Sequence, residues 1–318
     1  MENILCLLHT EADGSLAKPA REALAVAKDL STQLGGAPFD LGLVGADVAA
    51  AANAVASAGA RRLRAVSGAD FGQARYATDA AAAEALTKAS GATLIVAPQT
   101  SRFARILAGV ASRLTGRVDT HVTAVAAKDG AVSVSRWYYR QRMEATLSRA
   151  PRPWILGLDP GCVAPWSGAA GTAEVEAVQV ALPQLRTKVT GVRAPSADEQ
   201  TIRPDAELLF VAGAGWTKKQ ADGQTHVPEA EKLILGFLKA TQASLGGSKS
   251  LVDISGEGQA TLRFMTHLNQ IGQTGATPRH PKGLATCCHG EEPHTVGWRF
   301  VTERRAVNKD PGCGWARG

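Results

Sequence analysis

Continuous apolar runs, rather than alternating ones, recur through the first third of the chain: NILCLLH at Asn3–His9, DLGLVG at Asp40–Gly45, Arg62–Val66, and ATLIVA at Ala92–Ala97. A strand is apolar at consecutive positions only when both faces of its sheet are covered, which is the condition of a parallel sheet with helices on either side. The segments between the runs are long enough to be the crossover helices that parallel strands require. Ala17–Leu34 carries Leu24, Ala27, Leu30 and Leu34 at helical spacing and stops at Gly35-Gly36. Asp47–Ser57 and Ala77–Ser90 read the same way, the latter closed by Gly91.

From about Thr120 the pattern changes. Ala131–Tyr139, Met143–Ser148 and Pro153–Asp159 are β-rich and complete the first sheet. A polar stretch, Thr187–Pro204, contains Pro195 and Pro204 and is read as a linker, which divides the 318 residues into domains at 1–195 and 196–318. The second domain opens with a strand at Ala206–Ala212, passes through GAGW, and continues as a helix from Glu229 to Leu245 that ends in Gly246-Gly247. The expected fold is therefore α/β, with two doubly wound domains, the second also built on a parallel sheet.

Several classes of function are excluded. The net charge is +6, but aromatic residues are only 5% and the basic residues are scattered, so nucleic acid is not an expected partner. No long uncharged apolar run exists for membrane insertion. Glu2 stands where a secretory signal wants positive charge, so the N-terminal run is read as a buried strand and the chain as cytoplasmic. Five cysteines, an odd number in a long chain, fit a reducing compartment. An ATP-using ligase is disfavoured because no G-x-x-x-x-G-K phosphate loop occurs.

Five stretches carry the candidate chemistry. Gly213 and Gly215 follow a strand, either to turn tightly with positive φ or to let backbone approach a phosphate. Ser248 and Lys249 place a hydroxyl and a cation at a loop, as an exposed helix end or as a phosphate contact. Gln270–Gly275 (QIGQTG) frees its backbone at Gly272 and Gly275 and sets Gln273 and Thr274 on a turn as donors for a planar ligand. Cys287–His294 (CCHGEEPH) suggests a metal, yet lacks a second ligand pair at zinc spacing. AVNKDP puts Asn308, Lys309 and Asp310 at a strand end, where doubly wound sheets bind ligands.

In this order, GAGW, GGSKSLVD, QIGQTG, CCHGEEPH and AVNKDP resemble the C-terminal flavin-binding domain of the electron transfer flavoprotein α subunit family. LAKPAREALAVAKDL, IVAPQTSRFARILAGVASRLTG and VSRWYYRQRMEATL are similar to that family's first half. The resemblance implies FAD as cofactor, a heterodimer with an electron transfer flavoprotein β-like subunit, a flavin-dependent dehydrogenase as electron donor and a quinone reductase-type acceptor. It also implies a cofactor site made of Ser248, Lys249, Gln270, Gly272, Gln273, Thr274, Gly275, His289, Gly290, His294, Asn308, Lys309 and Asp310. In that assignment Ser248 reaches the diphosphate, Gln273 and Thr274 lie by the flavin ring, His294 lies at its pyrimidine end, and Asn308 meets the ribityl or adenosine region.

The sequence departs from the family pattern inside this site. Lys249 replaces an arginine, keeping the charge but losing the planar fork. Glu291 and Glu292 stand where small and apolar residues would face a diphosphate, and Pro293 replaces a glutamine donor. The sequence stops at Gly318, soon after AVNKDP, where the family continues toward the adenine. Two readings follow: an electron-carrying FAD subunit, or a flavin-free docking subunit of a redox complex with the same ancestry.

Overall fold

In the computed structural model the described residues are 2–139, 143–182, 184–191, 202, 203, 206–252, 260–272, 276, 278, 280–286 and 301–306. They fall into two units, Met1–Val192 and Arg193–Gly318.

The first unit alternates strand and helix as its apolar runs require. β1 (Ile4–His9) is buried at every position and leads into α1 (Lys18–Gln33), whose Ala20, Ala23, Leu24, Ala27 and Leu30 face the sheet. There follow β2 (Phe39–Gly45), the short α2 (Ala49–Ala54), β3 (Leu63–Ser67), α3 (Tyr76–Ser90) and β4 (Leu94–Pro98). Gly91 takes the left-handed conformation that closes α3, and all four predicted strands form within a residue or two of their expected bounds. Two short helices, α4 (Ser101–Ala104) and α5 (Leu107–Arg113), cover the opposite face with Phe103, Ile106, Leu107 and Val110.

β5 (Arg117–Lys128), β6 (Ala131–Tyr138) and β7 (Met143–Leu147) form an antiparallel extension, and β8 (Trp154–Leu158) returns between β4 and β5. With β9 (Glu176–Ala177), the sheet has nine strands in the order β7-β6-β5-β8-β4-β1-β2-β3-β9. Its parallel part runs outward from β1 to β3, then reverses at β4, the reversal that defines a doubly wound sheet.

A buried carboxylate holds the extension to the parallel sheet. Asp119 on β5 is fully buried and accepts from Arg136 Nη1 on β6 (2.7 Å), from Arg149 Nη2 beyond β7 (2.9 Å) and from Trp154 Nε1 on β8 (2.8 Å). Arg149 Nε donates to its second oxygen. Burial alone would raise the Asp119 carboxyl, but the donors from Arg149, Trp154 and Arg136 outweigh it and hold the group below the usual range.

Beyond β8 the chain forms a strap without regular structure that the sequence did not announce. Gly161 N–H donates to Glu22 Oε2 on α1 (2.8 Å), Trp166 N–H to Arg21 O, and Gly171 and Ala173 N–H to the backbone and side chain of Asn53. The strap then pairs with the β3 edge as β9. Val163, Trp166, Ala173 and Val175 pack on one face of the sheet, and Val178, Val180 and Leu182 on the other. Glu22 is buried with Oε1 unpartnered, and burial raises its carboxyl.

The second unit contains β10 (Leu208–Ala212), α6 (Val227–Thr241), β11 (Ser244–Gly247), β12 (His280–Thr286) and β13 (Val301–Ala306). The four strands are parallel, in the order β11-β10-β12-β13. One expectation is corrected: the helix does not reach Leu245. Gln242 turns left-handed (φ 53°), and Ser244–Gly247 leaves α6 to become a strand, so the two glycines end a strand rather than a helix. Their lack of side chains is used in packing, since a Cβ on Gly246 would come within 2.9 Å of Ile271 Cγ2. The predicted linker lies mostly outside the described residues.

Replacing Asp119 with Ala strands two guanidinium groups and an indole N–H, and such a broken buried pair costs about 3–5 kcal/mol. Urea denaturation of D119A followed by circular dichroism is expected to show that loss in the transition of the first unit.

Candidate functional site

In an open parallel sheet, ligands bind beyond the carboxyl ends of the strands where the strand order reverses. The two units use this position differently.

In the first unit it is filled. His9, at the end of β1, is buried, and its Nε2 lies 2.8 Å from Thr100 Oγ1 beyond β4. Its ring meets Phe103 edge-on at 4.8 Å. Thr10 fills the adjoining space, where a Cβ on Gly45 would collide with its hydroxyl. Burial, reinforced by the nearby Arg102 cation, lowers the pKa of His9 and favours the neutral ring. Arg102 is in turn engaged by buried Asp79, with Nη2 2.6 Å from Oδ1. A second cluster on the same edge joins Gln99, His121 and Asp159. His121 sits at φ 56° in a bulge of β5, donates its backbone N–H to Gln99 Oε1 (2.7 Å), and places Nδ1 3.0 Å from Asp159 Oδ1. Hydrogen bonding to Asp159 raises the His121 pKa against partial burial. Nothing in the sequence pattern marked these two histidines, because their partners arrive from strands about ninety and about forty residues away.

In the second unit the reversal falls between β10 and β12. Ala212 pairs in register with Gly247 on one side and Thr286 on the other, so β10, β11 and β12 end level. Gly213 N–H donates to Thr286 O (2.9 Å) and Trp216 Nε1 to Thr286 Oγ1 (2.9 Å), closing the floor between the two strand ends. The Gly213 turn does not use positive φ as expected; its φ is −98°, and Ala214–Trp216 form a single 3-10 turn.

Ser248 and Lys249 follow directly at this edge, Ser248 half-buried and Lys249 exposed, with Ser248 N–H donating to Ala212 O (3.1 Å). Gln270 is buried and bridges to Gly247 at the same edge. From Gln270 the backbone doubles back: Ala276 N–H donates to Gln270 O (2.7 Å) and Gly272 N–H to Ala276 O (3.0 Å). Gly272 has φ 103°, a conformation that only glycine takes without strain. Four predicted site residues, Ser248, Lys249, Gln270 and Gly272, thus gather at one sheet edge. Gln273, Thr274, Gly275, His289, Gly290, His294, Asn308, Lys309 and Asp310 lie outside the described residues, as do Glu291 and Glu292. β12 and β13 end at Thr286 and Ala306, immediately ahead of the last two predicted groups in the sequence.

The described residues of this edge fit a diphosphate-bearing dinucleotide. They supply a hydroxyl, a cation and a glycine turn, and none of Gly213, Ser248, Gln270 and Thr286 is acidic. No group of three metal-ligating side chains occurs among the described residues.

Among known families, the electron transfer flavoprotein domain matches residues 4–183, more than half of the chain and almost the whole of the first unit. No curated protein matches the chain.

Two outcomes are expected. Gly272→Ala forces a left-handed residue at the turn and should destabilise the second unit by about 1–2 kcal/mol, measured by thermal unfolding. The His121–Asp159 pair carries a raised histidine pKa, so its stabilisation is complete below the ordinary histidine value of about 6.5 and disappears as pH rises through the folded value. The stability gap between wild type and His121→Gln should accordingly be widest below the ordinary histidine value of about 6.5 and close as the pH rises through the raised folded value, read by urea titration across pH.

Proposed function

Since the chain belongs to the electron transfer flavoprotein family, we propose that it is an α-type subunit that carries electrons through FAD, in a heterodimer with a β-like subunit. The proposal includes a flavin-dependent dehydrogenase as donor and a quinone reductase-type acceptor. The observation that carries it is the convergence of Ser248, Lys249, Gln270 and Gly272 on the carboxyl edge of the second sheet, at its reversal point.

FAD, when bound, supplies the reversible uptake of electrons. The chain supplies position and charge. Ser248 would hold the diphosphate by hydrogen bonding, and the Gly272 turn would bring backbone close to the ligand. Lys249, joined by His294, would favour the negative charge that a reduced flavin gains. The trio His9, Thr100 and Phe103 closes the equivalent edge of the first unit, which leaves that unit the work of scaffold and partner recognition.

The absorbance spectrum of the chain co-purified with its β-like partner, with the released cofactor identified by chromatography, tests this reading. About one FAD per heterodimer is expected. A colourless complex that gains no flavin on reconstitution overturns it in favour of the flavin-free docking subunit, the reading that Glu291 and Glu292 favour. In the loaded heterodimer, Lys249→Ala should lower the flavin midpoint potential by some tens of millivolts, on the order of 1 kcal/mol, with folding unchanged.

A further inference from the structure

Between the end of α2, the start of β3 and the strap lies a cleft of about 700 Å³. Val55 and Leu63 give it an apolar floor. Its rim is ionic with both signs, Arg61 and Arg62 on the β3 side and Glu174 and Glu176 on the strap.

The two arginines are oriented by the fold. Arg61 Nε and Nη2 each donate to the buried Asp40 carboxylate at 3.0 Å, and Arg64 donates to the same group from inside the sheet. Arg62 Nη1 donates to Glu176 Oε2 at 3.2 Å, and Arg64 Nε lies 3.4 Å from that oxygen. Burial would raise Asp40, but the donors Arg61 and Arg64 hold it ionised below the usual range. Arg61 keeps Nη1, and Arg62 keeps Nε and Nη2, beyond these bonds. Glu174 is exposed on the strap.

The lining is therefore neutral in sum and divided in sign. Asp40 cancels Arg64, and the two rim arginines cancel the two glutamates. A simple anion entering here gains one wall and is repelled by the other, and a simple cation meets the reverse. A molecule bearing both charged groups on one carbon satisfies both walls, and a short hydrocarbon tail suits the floor.

We propose that this cleft binds a small zwitterion of the aliphatic amino-acid class. The carboxylate meets the unspent donors of Arg61 and Arg62, the ammonium meets Glu174 and Glu176, and the side chain lies on Val55 and Leu63. Because Glu174 and Glu176 belong to the strap, the bound molecule also ties the strap to β3.

Calorimetric titration of the full chain with L-leucine, L-valine and L-methionine tests the site. At least one should saturate below about 10 mM, while leucinamide and 4-methylpentanoate, each lacking one charge, should bind about tenfold more weakly. Arg62→Gln and Glu174→Gln, with circular dichroism unchanged, should each weaken the amino acid by about tenfold. Failure of all three amino acids to saturate overturns the proposal, as does equal binding of either singly charged analogue. Full affinity in Glu174→Gln, whose side chain has no described protein partner to lose, overturns it as well.

Discussion

The first unit is organised around one buried carboxylate. Asp119 is reached by donors from β6, from the segment after β7 and from β8, so three separate stretches of chain must be in place before it is neutralised. A carboxylate with no access to water makes partial folding expensive, because each absent donor leaves charge uncompensated in a medium of low polarity. The antiparallel extension is thereby locked in register with the parallel sheet. Apolar contacts alone specify such register weakly where strands are half exposed, as β6 and β7 are.

The architecture was legible where periodicity decides it. β1 to β4, α1 and α3 follow from apolar runs buried on both faces and from helices closed by glycine, and those signals are local. The strap was not legible, because it has no repeating hydrogen bonds and takes its place from scattered contacts with Glu22, Asn53 and β3. β11 was misread for a different reason. Leu245 keeps the helical spacing of Leu238 in α6, and only the left-handed turn at Gln242 separates helix from strand. Glutamine is not a residue that announces such a turn.

The site was legible in part for the same reason. Glycine patterns after a strand, after an expected helix end and in a turn drew attention to Gly213, Ser248 and Gln270, and the sheet does bring those positions to one edge. What the glycines do there was only partly foreseen. Gly246 serves Ile271 and Gly247 serves Met265, whereas Gly272 answers to a backbone conformation. Pairings such as His9 with Thr100 and His121 with Asp159 join residues far apart in the chain. They are properties of strand order and cannot be read from spacing.

The strap has a further consequence for the nine-stranded sheet. On the β3 side its two-residue strand and flanking apolar contacts cover the backbone groups that another strand would need. On the far side β7 pairs only with β6 among the described residues, and Tyr139, just after β6, and Met143, the first residue of β7, are exposed. The sheet accordingly has unequal edges: β9 offers two residues of strand and β7 offers five, so a chain that joins by main-chain hydrogen bonding finds the longer template at β7.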